Sequence, residues 1–364
     1  MIAPPPPRAG SRIVLVDDVF AVGGPLLSLA AGRDVVIVSD RGIAPHYLPR
    51  LEAALRSRRR LSVVLPEGER TKTARTAHAV AGRLLREGFG RDALLIGLGG
   101  GMVGDLTGFV ASVYLRGVEY ALVPTTLLAQ VDAALGGKTG VDHPLAKNAL
   151  GTFCFPTSVV VDVRLLATLS TRDYRAGLAE VLKYALAFDA PFLAWLEDHA
   201  ADLRTRQTAV VAEAVARSIR HKVEVVTRDP YEEGPRALLN LGHTFAHAIE
   251  THDGYVRWRH GEAVAVGLDL AAECSRRFGW LTDADRARVP ALLRSLGLPT
   301  EPPAADPARI RALMARDKKV RAGKLRMIFL EELGRAVLSA DYDERILTEV
   351  LTETFGRRRP EGGA

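Results

Sequence analysis

Six short aliphatic, mostly β-branched runs punctuate the first 170 residues, at 12–16, 34–39, 61–65, 93–98, 120–123 and 158–161. Between several of them, near residues 45–57 and 73–88, apolar residues recur with the 3.6-residue period of a helix. This alternation allows few folds. Parallel strands need crossover connections, and helices that alternate with strands bury their apolar stripes on a shared sheet. From about residue 171 the pattern changes, and long helical periods dominate at 174–186, 208–226 and 261–278. The expectation is a Rossmann-like α/β domain over residues 1–170 and a mainly α-helical domain over 171–364, with a cleft between them. No internal repeat is visible.

Composition narrows what the chain can do. At 364 residues and 48% hydrophobic it can bury an ordinary core without staples. Cys154 and Cys274 lie far apart, so no disulfide framework is implied and a reducing cytoplasm fits. The net charge of +6 could serve nucleic acid, a membrane surface or a small anion. The run Arg58-Arg59-Arg60 has no interleaved aromatics, and Arg357-Arg358-Arg359 sits in a tail ending in Gly and Ala. Both read as solvated charge. The start MIAPPPPRAG lacks the apolar core of a signal peptide, and no window approaches an uncharged membrane span. A small anionic ligand is the remaining expectation, with no nucleic-acid or membrane partner.

The segment ALLIGLGGGMVGD runs from an apolar strand into a turn with Gly99, Gly100, Gly101 and Gly104, then towards a helix. Gly99-x-Gly101-x-x-Gly104 has dinucleotide spacing. Glycines let the backbone approach a pyrophosphate, and the helix N-terminus offers unpaired N–H groups to the anion. The acidic residue expected to close the next strand is not evident. Asp40 closes the earlier run VVIVSD and could hold a ribose hydroxyl or simply form a turn.

The stretch PTTLLAQVDAALGGKTGVDHPLAKN carries Asp132, Lys138, Lys147 and Asn148 among small residues, a setting that suits a small anion. GLAEVLKYAL places Glu180 and Lys183 three apart on one helical face, and HKVEVV supplies Lys222. In RALLNLGHTFAHAIE, His243 and His247 stand four apart. Read as one helix, Arg236, Asn240, His243 and His247 share a stripe. Four such groups are costly to bury unpartnered, so this helix is expected to line a wet cleft. His260 stands beside a glycine at a helix start in RWRHGEAVAVGL. Two histidines and a glutamate with open positions suit zinc as a Lewis acid. The HExxH signature is absent, so the ligands come from separated segments, and spacing does not say which histidine binds.

Together these residues resemble the dehydroquinate synthase family of sugar phosphate cyclases. The likeness runs in order over nearly the whole chain, through GGGMVGDLTGF, the lysine-bearing stretch, GLAEVLKYAL, RALLNLGHTFAHAIE, HGEAVAVG and RDKKVRAGKLR. The resemblance implies an N-terminal NAD-binding domain and a C-terminal metal- and substrate-binding domain. Asp40, Glu69, Lys72, Gly100, Gly101, Gly104, Asp105, Thr125, Thr126 and Asp132 match cofactor positions. Lys138 and Lys147 stand where cofactor and substrate meet. Glu180, His243 and His260 match the metal ligands. Lys138, Asn148, Lys183, Lys222, Arg236, Asn240 and His247 match substrate and catalytic positions. Arg116 matches an arginine that reaches a neighbouring subunit's phosphate site, and Lys318 a further phosphate-site residue. On this reading His243 holds the metal, while His247, one turn on, serves the phosphate and proton-transfer end.

The implied activity is conversion of 3-deoxy-D-arabino-heptulosonate 7-phosphate to 3-dehydroquinate and phosphate in a cytoplasmic homodimer. NAD oxidises the C5 hydroxyl, with zinc or cobalt polarising that oxygen. The ketone acidifies the neighbouring C–H and phosphate leaves. The hydride returns, and the opened ring closes by an intramolecular aldol step. Some positions depart from the family pattern: Ala146 and Ala246 replace usual glycines, Pro230 and Pro235 interrupt an acidic-arginine run, and Ser170 replaces a common proline. None removes a catalytic group. The rivals are an amino-dehydroquinate synthase, other sugar phosphate cyclases, and an NAD- and metal-dependent polyol dehydrogenase. The last would have no use for Lys138, Lys183, Lys222 and Lys318.

Overall fold

The computed structural model describes residues 11–315, 320–321 and 324–356. The chain divides into two compact units, Met1–Ser170 and Thr171–Ala364.

In the first unit the strands are β1 (Arg12–Leu15), β2 (Asp34–Asp40), β3 (Arg59–Leu65), β4 (Leu94–Gly99), β5 (Glu119–Pro124), a hairpin of β6 (Lys138–His143) and β7 (Ala146–Phe153), and β8 (Ser158–Val161). The six expected runs form one wholly parallel sheet in the order β1-β8-β5-β4-β2-β3, with ends within two residues of the sequence pattern. Strands β2, β4 and β8 are buried along their whole length, which is why they read as unbroken aliphatic runs. Helices α1 (Pro25–Ala30), α2 (Ala44–Ala54), α3 (Ala74–Arg86) and α4 (Gly101–Val113) supply the crossovers. Leu26, Tyr47 and Leu51 pack with Val35, Ile37, Leu94 and Ile96 in one apolar cluster. Each such side chain contributes about 1.5–3 kcal/mol when fully buried. The strand order reverses between β2 and β4. That switch point is where an open α/β sheet leaves a crevice beyond its carboxyl ends, and Asp40 and Gly99 are the last residues of those two strands.

The second unit holds α5 (Thr171–Phe188), α6 (Ala190–Asp198), α7 (Ala200–Arg204), α8 (Thr208–Arg228), α9 (His243–His252), α10 (His260–Arg277), α11 (Asp283–Ser295), α12 (Pro307–Ala315) and α13 (Glu344–Phe355). Short antiparallel strands lie between α12 and α13. The centre is α10, packed against α5, α9 and α11, with every residue from Ala263 to Leu268 buried. None of the described helices is long and apolar enough to cross a membrane.

Candidate active site

At the switch point, α4 begins immediately after β4, with Gly100 as N-cap and no side chain capping its first turn. Its leading N–H groups are therefore available to an anion. Glycine is needed at Gly99, where a Cβ would come within 2.6 Å of Val103, and at Gly100, where it would stand 3.0 Å from Thr126. Gly97, Gly99, Gly100, Gly101 and Gly104 line a narrow groove. Thr125, at the end of β5, donates its N–H to the Gly99 carbonyl at 2.9 Å. Its buried hydroxyl has no hydrogen-bond partner among the described residues.

Asp40 accepts the Gly42 and Ile43 N–H groups on Oδ1, at 2.9 and 3.1 Å, and burial raises its pKa. It acts as a turn former whatever else it holds. Lys72 is buried, with its ammonium 2.8 Å from Asp105 and 3.2 Å from Glu69. Burial pushes Asp105 up to about 6 against the pull of Lys72. A charged cluster of Glu69, Lys72 and Asp105 is thus assembled from two segments, the 69–72 turn and α4. Asp132 is half-buried on a π-helical turn, Ala129–Ala133. Lys138, Lys147 and Asn148 are exposed on the β6–β7 hairpin, and the Asn148 N–H binds Asp142 at 2.8 Å. Arg116 is exposed in a left-handed conformation at φ 65°. Lys318 lies outside the described residues.

The second unit brings Glu180, His243 and His260 together, with one potential ligand atom from each inside a 4.8 Å cluster. Glu180 is fully buried near the middle of α5. Its Oε1 is 3.5 Å from His243 Nε2 and 3.4 Å from His260 Nε2. His243 Nδ1 lies 3.1 Å from the Leu241 carbonyl oxygen, and His260 Nδ1 lies 3.4 and 3.5 Å from the two oxygens of Glu250. Both rings can donate through Nδ1 and so present a lone pair on Nε2, as metal ligation requires. Burial favours neutral His260, but Glu180 and Glu250 outweigh it and raise its pKa to about 10. Burial, with Lys183 nearby, holds His243 well below the ordinary histidine value. The donor set of two nitrogens and one carboxylate fits a divalent cation with open positions.

Lys183, one turn along α5, is buried and ion-pairs with Glu180 Oε2. Lys222 is buried on α8. His247 is half-buried, its ring 5.7 Å from that of His243.

The single helical stripe expected from Arg236 to His247 is broken. Pro235–Asn240 is a 3₁₀ turn and α9 starts only at His243. Gly242 sits at φ +77°, and a Cβ there would lie 2.7 Å from the Leu268 nitrogen. This close crossing onto α10 dictates both the glycine and the break. Arg236 and Asn240 are therefore presented by a separate element, packed against α5 and α8. Asp229 ties it down by accepting the N–H groups of Glu233, Gly234 and Arg236 at 2.8–3.0 Å. Arg236 is buried and donates to the Pro230 carbonyl, while Asn240 donates to Glu232 at 2.6 Å. Sequence reasoning missed Glu250. Its signal was available: it stands seven residues after His243, two turns along the same helical face.

Residues 62–176 and 177–320 match the family models described as 3-dehydroquinate synthase N-terminal and C-terminal. A 3-dehydroquinate synthase of Halorhodospira halophila is 50% identical over 341 residues, 94% of this chain and 96% of that protein. Among solved structures, a 2-epi-5-epi-valiolone synthase from Streptomyces hygroscopicus subsp. jinggangensis 5008, with NAD+ and Zn2+ bound, has a TM-score of 0.88 at 31% identity. The match covers 96% of this chain and 98% of that one. A 2-deoxy-scyllo-inosose synthase complexed with carbaglucose-6-phosphate, NAD+ and Co2+ has a TM-score of 0.81 at 25% identity, covering 94% and 96%.

Proposed function

Because this chain belongs to the 3-dehydroquinate synthase family, we infer that it converts 3-deoxy-D-arabino-heptulosonate 7-phosphate to 3-dehydroquinate and phosphate. It is an NAD- and divalent-metal-dependent lyase. The observation that carries this reading is 50% identity to a 3-dehydroquinate synthase over nearly the full length of both chains. When bound, NAD would accept and return a hydride from a substrate carbon and the cation would act as a Lewis acid on a substrate oxygen.

The roles assigned to this chain's residues rest on their match to the family's site positions. Glu180, His243 and His260 hold the cation. The Gly100, Gly101 and Gly104 turn admits the pyrophosphate to the first turn of α4, with Thr125, Thr126 and Asp132 nearby. Asp40, Glu69, Lys72 and Asp105 serve the rest of the cofactor. The buried Lys183, paired with Glu180, sets a cation at the edge of the metal site. It balances the charge of the carboxylate and orients a substrate hydroxyl. His247 stands beside His243, its ring 5.7 Å away. It organises the phosphate oxygen that accepts the C–H proton during elimination. Lys138, Lys147, Asn148, Lys222 and Lys318 neutralise the phosphate and the developing negative charge. Arg236 and Asn240 bind the carboxylate and ring hydroxyls. Arg116, exposed on the first unit, serves the site of a second copy in a homodimer. The setting is the cytoplasm.

Arg236→Ala is expected to raise KM for the heptulosonate about 10²-fold with bound metal unchanged, since truncating one side of a buried charged contact costs about 2–5 kcal/mol. Arg236→Lys should fall between, because an ammonium cannot fork onto a carboxylate. Steady-state kinetics beside zinc analysis checks both, and an unchanged KM removes Arg236 from the carboxylate.

The activity itself is tested by giving the protein the heptulosonate phosphate with NAD and zinc or cobalt. Phosphate release and product mass are followed together. Phosphate release, a 3-dehydroquinate product and no net NADH are expected. No turnover by metal-loaded, NAD-binding protein would overturn this substrate and direct the assay to the 4-amino analogue.

A further inference from the structure

The two imidazoles at the Glu180 cluster are supported differently from behind. His243 Nδ1 faces a neutral main-chain oxygen, that of Leu241, at 3.1 Å. His260 Nδ1 faces both oxygens of the Glu250 carboxylate, at 3.4 and 3.5 Å. Glu250 is 5% exposed, too deep for a carboxylate without function or partner. It stands on α9, whereas His260 opens α10, so the contact bridges the two helices that carry the histidines. His243 and Glu250 are two turns apart on one helical face. One helix therefore supplies a ligand and also the group that aims the other ligand.

We propose that Glu250 is a positioning residue that fixes His260 for the cation. It accepts the Nδ1 hydrogen, so Nε2 keeps its lone pair and points at Glu180, and its charge makes that nitrogen a stronger donor. A carboxylate behind a histidine ligand typically contributes 10–100-fold in metal affinity. A carbonyl, as behind His243, supplies the same direction with less charge. His260 is then the ligand whose hold on the cation is tunable through its support.

This inference rests on the metal-dependent reading above, and the test separates the two. Full-length wild type, Glu250→Gln and Glu250→Ala are stripped of metal, checked by circular dichroism, and titrated with zinc against a chromophoric chelator. Each is then loaded with cobalt and its d–d absorption recorded without substrate. Glu250→Gln keeps volume and a hydrogen-bond acceptor, so it decides the matter if Glu250→Ala fails to fold. Zinc affinity is expected to fall about 10-fold in Glu250→Gln and towards 100-fold in Glu250→Ala. The cobalt bands should shift in both, which a purely structural role for Glu250 would not produce. Folded variants with wild-type zinc affinity and cobalt spectrum would overturn the role of Glu250 alone. A wild-type chain that binds neither zinc nor cobalt would overturn the metal reading and this inference with it.

Discussion

His243→Ala retains no stoichiometric zinc and loses turnover by about 10³-fold or more. Glu180 Oε1 lies 3.4–3.5 Å from both histidine Nε2 atoms, and the ligand atoms share one 4.8 Å cluster. Three ligands are the usual protein share of a catalytic site, and removing one leaves two and an extra solvent position. A Lewis acid contributes several kcal/mol to stabilising transition-state charge, and about 4 kcal/mol corresponds to roughly 10³ in rate. Two measurements check the claim together: metal content after dialysis and phosphate release under saturating substrate. Full zinc occupancy in His243→Ala would remove His243 from the ligand set. Zinc loss with undiminished turnover would remove the metal from the reaction.

Gly261→Ala is expected to destabilise the second unit by about 3 kcal/mol or more and to weaken metal binding at the same time. A Cβ on Gly261 would lie 1.8 Å from the carbonyl oxygen of Ala176 and 2.5 Å from its carbon. These are backbone atoms of α5, so no side-chain rotation relieves the overlap and the helices themselves must part. Gly261 follows His260, and Ala176 lies one turn before Glu180, both of the candidate metal cluster. Any separation is therefore transmitted to the metal cluster. Thermal unfolding should drop by about 10 °C for a unit of this size. Gly82→Ala is the control: it sits inside α3, where the nearest atom, at 3.7 Å, is the tip of Arg86. That change should be neutral or stabilising by up to about 1 kcal/mol. Equal behaviour of the two variants would rule out backbone crowding at Gly261.

The sheet was legible because its inner strands β2, β4 and β8 are buried along their whole length. Asp34–Asp40 and Leu94–Gly99 have no exposed position, so their aliphatic runs carry no competing signal. The β6–β7 hairpin was not read as strands. Strand β7 is exposed along almost its whole length, and β6 buries only Thr139, Gly140 and Val141, so neither carries an apolar alternation to betray it. The Glu180, His243 and His260 set was recoverable only through family motifs, because its members come from three helices and no spacing rule joins residues 180 and 260. The stripe from Arg236 to His247 failed for a different reason. Helical periodicity assumes an unbroken helix, and the left-handed Gly242 is fixed by its approach to α10, a tertiary constraint that periodicity cannot see. Glu250 was overlooked because a glutamate near a helix end reads as ordinary surface charge until its partner on another helix is known.

That break at Gly242 has an evolutionary side. In one continuous helix each residue is rotated about 100° from the last, so re-aiming Arg236 would also turn His243. The 3₁₀ turn and the left-handed glycine uncouple the two. Changes within residues 229–240 can re-aim Arg236 and Asn240 while His243 keeps its bearing on Glu180. On the proposed roles, substrate preference and metal binding become separately heritable traits, open to selection one at a time.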